Sequence, residues 1–321
     1  MLKTEYIIRL IKIMDLDPYC LVEAVENNEP IYLKNCSVLY SNIKFIHNGW
    51  SNTEEFIKPD LEETQRTIDF CTFTERYFGW IDFDKPSPFK RKWIGIIHDP
   101  FTNYIHDQPK KKKLDPDRPA FIESLSLCCK LYVLTRNEAI KWENALEEIG
   151  FGHVPVGVIY HPEVKPNPEN MFSWDKFWAN TNPRIYQAGY WLRKTYAIYK
   201  LSCWELKLKF PILKKYNKPF QKYIIPWDGR THGLLWFNCK KDNIELTEND
   251  KKSVIKIPPM EQNEFEKLFA DSIFYLDVYD ATVCNIVLQC KAHKTPIFVK
   301  WNDNLAEYLG DDYPYWIKDD M

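Results

Sequence analysis

The chain has 321 residues, enough for about two domains at roughly 100–200 residues each. It is 45% hydrophobic and 27% charged, which excludes a largely disordered chain, and its 10 Gly follow no period, which excludes a collagen-like one. The 43 Lys and Arg are balanced by 45 Asp and Glu, and a net charge of -2 argues against a nucleic-acid coat or a generally basic membrane binder, though not against a local basic patch. Aromatic residues make up 16% of the chain, a density that suits either a large core or loops that stack on ring-shaped ligands.

The N-terminal stretch is apolar only in short pieces, broken by Lys3, Glu5, Arg9 and Lys12. It makes a poor signal peptide and no membrane span. The 9 Cys are an odd number with no Cys-x-x-Cys pair, which fits free thiols in a reducing, cytoplasmic setting better than a disulfide framework.

In chain order, Ile7, Leu10, Ile11 and Met14 recur at helical spacing, so residues 4–14 read as a helix. Strand signals follow at 31–40 and 43–48, and an acidic helical stretch at 52–70. The run KWIGIIHDP is short and apolar and closes on Asp-Pro, as a buried strand entering a loop does. A Lys- and Pro-rich loop at 102–119 precedes a helix at 121–129, a strand at 131–135, a helix at 136–150 stopped by Gly150, and a strand at 154–162. Alternating strands and helices predict a parallel sheet covered by helices.

Three prolines within 162–170 mark a linker. Beyond it, 184–191 reads as a strand reaching Gly189, while 205–258 offers several short strands and an exposed charged segment. The pattern then resumes: helix 263–270, strand 272–278, helix 281–293, strand 295–300 and a short helix 305–310. Two parallel α/β domains result, 1–168 and 169–321. In such sheets, ligands bind beyond the carboxyl ends of the strands.

Four features stand at those ends. His98 and Asp99 close the first strong strand; the imidazole is either a base toward an acceptor hydroxyl or half of a loop-capping pair. His106 and Asp107 add no recognisable metal-ligand spacing, and the Lys110–Lys113 run reads as a solvated loop. Gly189 follows a strand and is succeeded by Arg193 and Lys194, an arrangement that lets backbone N–H groups and cations approach a diphosphate. Thr282 lies near a helix start, where free N–H groups favour phosphate, and Asn285 and Gln289 share a face one turn apart. These last three equally describe a Thr cap and two solvated amides.

The run YLDVYDATVCNIVLQCKAHKTPIFVKWNDNLAEYLGDDYP, preceded by WIGIIHDP, ESLSLCCKLYVLT, VPVGVIYHP and QAGYWLRK in that order, resembles the GT-B-fold glycosyltransferases of surface-polysaccharide clusters and large DNA viruses. The resemblance covers about residues 90–200 and 262–315. It implies two Rossmann-like parallel-sheet domains facing across a cleft, with acceptor binding on the N-terminal domain and a nucleotide-diphosphate sugar on the C-terminal one. Gly189, Arg193 and Lys194 are then expected near the donor diphosphate, with Ala281, Thr282 and Asn285 at the phosphate end of the helix. Gln289 falls where such enzymes usually carry a Glu that receives the donor ribose hydroxyls, and Cys284 replaces a small Ala. His98 and Asp99 map to the acceptor side as the catalytic pair. The implied partners are a nucleotide sugar and a glycan acceptor. No nucleic acid, transmembrane segment, metal or further cofactor is expected; Asp115 and Asp117 sit in a Pro-rich loop and make no convincing metal motif. Gln289 also keeps open a catalytically degenerate protein that binds the nucleotide without turnover.

Overall fold

The apolar runs become two separate parallel sheets. The computed structural model describes residues 22–23, 32–33, 69–71, 74–78, 87–101, 119–161, 165–189, 192–215, 219–225, 231–258 and 260–317. The expected helix at 4–14, the strand at 43–48, nearly all of the helix at 52–70 and the loop with His106, Asp107, Lys110–Lys113, Asp115 and Asp117 lie outside them. Of the strand expected at 31–40, only Tyr32–Leu33 (β2) is described, paired antiparallel with Val22–Glu23 (β1). The described residues divide into two compact units, those up to residue 161 in one and those from residue 165 onward in the other.

Unit 1 carries a four-stranded sheet ordered β3 (Asp69–Cys71), β4 (Trp93–Ile96), β5 (Cys128–Val133), β6 (Val156–Val158), all parallel. Parallel neighbours need crossovers. Those between β3 and β4, β4 and β5, and β5 and β6 contain α1 (Thr74–Tyr77), α2 (Pro119–Leu125) and α3 (Arg136–Glu148) respectively. The helix expected to reach residue 129 stops at Leu125. Leu127 N–H closes it onto the Ser124 carbonyl, and Cys128 is already strand, paired with Trp93. The aromatic residues here are core rather than ligand platforms: Phe89 stacks on Trp93 at 4.7 Å, and Phe78 meets Phe121 edge-on at 5.0 Å. The Trp93 indole N–H is satisfied by the Ser124 carbonyl at 2.7 Å.

Unit 2 carries six parallel strands. In chain order they are β7 (Arg184–Ala188), β8 (Gln221–Ile225), β9 (Val254–Lys256), β10 (Ile273–Leu276), β11 (Ile297–Lys300) and β12 (Trp316–Ile317), while α4 (Trp174–Ala179) precedes β7. In space the order is β12-β11-β10-β7-β8-β9. The chain thus starts in the middle, winds outward through β8 and β9, and returns to wind the other way from β10. This is a doubly wound sheet whose direction reverses between β7 and β10.

Burial explains the unbroken apolar runs. Ile273 and Tyr275 of β10 face one core cluster while Phe274 and Leu276 face another, and β11 likewise sends Phe298 to the first and Ile297 and Val299 to the second. A strand covered on both faces has no polar alternation to show.

The segment 205–258 departs from expectation. Among the described residues it holds β8 and β9 as strands; between β7 and β8 lie α5 (Ala197–Lys200) and α6 (Cys203–Lys209), and between β8 and β9 lie α7 (Thr231–Lys241) and α8 (Glu248–Lys252). The Thr247–Asp250 capping box starts α8 inside the segment read as merely charged and exposed. The remaining α-helices among the described residues are α9 (Gln262–Lys267), α10 (Asn285–His293) and α11 (Asp303–Leu309). All seven described cysteines are free thiols. Among the described residues no helix is long and apolar enough to cross a membrane.

Candidate functional site

The reversal between β7 and β10 leaves adjacent strand ends whose loops diverge, the place where doubly wound sheets take ligands. Here the two loops are tied together. Arg193 bridges to Val278, Lys194 N–H donates to the Asp277 carbonyl at 2.9 Å, and Tyr279 N–H donates to the Leu192 carbonyl at 2.8 Å.

Gly189 ends β7 with φ +79°, a backbone that side chains rarely adopt. A Cβ there would meet the Arg193 guanidinium carbon at 2.7 Å. The missing side chain therefore makes the seat for Arg193, whose residue is 8% exposed. Lys194 Nζ lies 3.4 Å from Asp277 Oδ1, and Lys300 Nζ, at the end of β11, lies 3.8 Å from Asp277 Oδ2. Three cations thus gather at the ends of β7, β10 and β11, with one buried carboxylate among them.

The end of α7 and the residue after it brace this arrangement. Asn238 donates through Nδ2 to the Arg193 carbonyl at 2.9 Å and the Thr195 hydroxyl at 3.0 Å. Just past the helix, Asp242 Oδ2 accepts the hydroxyls of Tyr196 and Tyr279, each at 2.6 Å. Burial, reinforced by Asp242, pushes both phenols up and keeps them neutral donors. Lys241 Nζ sits 3.7 Å from the centroid of the Tyr279 ring, and burial lowers its pKa.

The helix following β10 starts later than expected. Asn285 is its first residue and Cys284 its N-cap, without a side-chain capping bond, so Thr282 is three residues ahead of the helix and buried. Ala281 is already engaged: its N–H donates to Asp280 Oδ1 at 2.8 Å and its carbonyl accepts from Asn304 Nδ2 at 2.8 Å. Burial raises the Cys284 thiol pKa, with Arg193 acting in the opposite sense. Asn285 and Gln289 share a half-buried face of α10.

Unit 1 holds its own constellation. Gly95 lacks the Cβ that would lie 2.6 Å from Thr74 Oγ1, so α1 rests directly on β4. That brings the fully buried Glu75 under the loop after β4. Its carboxylate accepts the N–H of His98, the N–H of Asp99 at 2.7 Å, and approaches His98 Nδ1 at 3.3 Å. A second buried carboxylate, Glu138, accepts the Phe101 N–H and the Lys141 ammonium. Two acids from two helices therefore fix the His98–Phe101 loop, and His98 itself is buried rather than open.

The structure joins Gly189, Arg193 and Lys194 into one cluster with Asp277, Tyr279 and Lys300, and His98 and Asp99 into another with Glu75. Asp277 and Lys300 had a legible signal, a charge ending an apolar strand. Glu75, Asn238 and Asp242 had none. Among the described residues no group of three His, Cys, Asp or Glu side chains is placed to hold a metal ion.

No protein-family model and no curated protein matches the chain. Among solved structures it is similar to TarM, at 11% identity and TM-score 0.47, covering 78% of this chain and 44% of that one. It is also similar to a UDP-forming α,α-trehalose-phosphate synthase from Burkholderia xenovorans, at 10% identity and TM-score 0.48, covering 72% and 58%. A third is WaaG, a glycosyltransferase involved in lipopolysaccharide biosynthesis, at 9% identity and TM-score 0.43, covering 71% and 64%. The chain spans about half the length of the first two.

Proposed function

We propose that the chain is a two-domain, GT-B-like glycosyltransferase that moves a sugar from a nucleotide-diphosphate donor to an acceptor hydroxyl in glycan assembly. One observation carries the reading: Arg193, Lys194 and Lys300 converge at the reversal point of a doubly wound sheet, beside the helix that carries Asn285 and Gln289. Cations at such a point suit a diphosphate.

In the reaction, the bond from the sugar's anomeric carbon to the diphosphate oxygen breaks and a bond to the acceptor oxygen forms. The acceptor proton passes to a base, and the nucleoside diphosphate leaves with its added charge. Arg193, Lys194 and Lys300 neutralise that charge without a metal. Gln289 accepts a donor ribose hydroxyl through its amide oxygen. The unit 1 loop with His98 and Asp99 handles the acceptor, and the Glu75 carboxylate fixes the His98 ring by approaching Nδ1 at 3.3 Å. Donor binding belongs to 169–321 and acceptor binding to 1–168.

Gln289 supports a second reading, in which an uncharged amide holds the nucleotide and turnover is lost. A thermal-shift panel of nucleoside diphosphates and nucleotide sugars tests the common part: ligand at about 100 times its Kd adds about 2.7 kcal/mol of stability. Arg193→Ala and Gln289→Ala should each reduce the shift. Nucleoside diphosphate release in EDTA then separates the readings; release marks the transferase, and binding without release with any acceptor offered marks the degenerate form. Absence of any shift defeats both.

A further inference from the structure

We propose that α6 and the turn after it form a docking surface for an anionic phospholipid bilayer. Trp204 and Leu208 stand one helical turn apart on α6 and are 68% and 47% exposed. The same helix buries Leu206. An ordinary solvated face would carry polar residues at those two positions.

The surroundings select the partner. Lys209 and Lys214 lie on α6 and on the 3-10 turn Pro211–Lys215 that follows it, against one acid, Glu205, while Lys207 is engaged over the Phe220 ring at 5.0 Å. Lys209 and Lys214 are exposed. The nearby Lys200 is already paired with Asp250 at 2.7 Å, and Lys222 is buried with its ammonium on the Tyr199 and Leu201 carbonyls, so neither belongs to the surface. A chain with net charge -2 therefore places the exposed ammonium groups of Lys209 and Lys214 beside its exposed Trp and Leu. Trp settles at the headgroup level of a bilayer, Leu inserts below it, and lysines meet anionic headgroups.

The surface is independent of nucleotide binding, so its test needs no turnover. The full chain is sedimented with vesicles of phosphatidylglycerol mixed into phosphatidylcholine, and with phosphatidylcholine alone, at low and high salt. The wild type should sediment with the anionic vesicles, less so at high salt. Lys209→Gln with Lys214→Gln should weaken binding about 30-fold, the loss of two lysine contacts. Trp204→Ser with Leu208→Ser should abolish it, and because all four side chains are exposed, each variant should keep the wild-type Tm. No sedimentation of the wild type, equal sedimentation with neutral vesicles, or binding undiminished in both variants overturns the proposal. So does self-association in vesicle-free buffer that the Trp204/Leu208 variant loses, since the face would then belong to a second copy.

Discussion

Replacing Gly189 by Ala tests how the cation cluster is built. Two separate penalties follow from the geometry. The φ of +79° costs a side-chain-bearing residue about 1–2 kcal/mol. The new Cβ also lies 2.7 Å from Arg193 Cζ and 3.0 Å from Nε and Nη1. Arg193 is 8% exposed and cannot simply swing into water, so relieving that overlap costs a further about 1–3 kcal/mol. The sum, about 2–5 kcal/mol, is read from denaturant unfolding. The parts separate in a double-mutant cycle with Arg193→Ala, because only the second penalty needs the guanidinium. Gly189→Ala in the Arg193→Ala background should cost only the backbone part. Calorimetric titration with a nucleoside diphosphate should show weaker binding for Gly189→Ala, since the guanidinium is displaced. If the penalty is the same in both backgrounds, Gly189 does not seat Arg193 and the reasoning is wrong.

Asp277→Asn should lower stability by about 1–2 kcal/mol, moderated because Lys194 and Lys300 are 24% and 35% exposed, yet tighten binding of a free nucleoside diphosphate as two lysines lose their compensating charge; weaker binding would refute the assignment of these lysines. Glu75→Ala should cost about 2–4 kcal/mol in urea unfolding by orphaning the His98 and Asp99 N–H groups, with exchange of those amides accelerating; unchanged exchange would show that Glu75 does not hold the loop. Burial lowers the His293 pKa, so the native state takes up this proton less readily than the unfolded one. Stability should fall as pH drops below about 6.5, the unfolded value, and on toward the lower folded value. His293→Phe should flatten that part of the Tm–pH curve, and an unaltered curve would assign the acid sensitivity elsewhere.

What the sequence disclosed and what it hid follow one physical division. Strands such as Ile273–Leu276 and Ile297–Lys300 are apolar throughout because both faces are covered, and that pattern is local. So are Gly189 and the cations after it. The start of α10 was misplaced because Cys284 caps it without a side-chain bond, leaving Thr282 as the more conventional cue. Segment 205–258 resisted because its structure rests on long-range partners: Asn238 is placed by Arg193 and Thr195, and Asp242 by Tyr196 and Tyr279. Glu75 shows the same difficulty, since a carboxylate with its partners in another part of the chain looks like any surface acid. The aromatic density, open to two meanings in the sequence, goes mainly to the cores among the described residues.

The reversal of the sheet also orders events in time. β7 and β10 are neighbours, with Ile185 opposite Ile273, yet β8, α7 and β9 are threaded between them in sequence. Closing so long an excursion is entropically costly, and distant pairings of this kind form slowly. During synthesis, β7 has left the ribosome well before the strand it must lie beside exists. The cation cluster, made from the ends of β7, β10 and β11 and braced by α7, is thus among the last parts of unit 2 to assemble, and any ligand that needs all three cations can stabilise the protein only after folding of that unit is essentially complete.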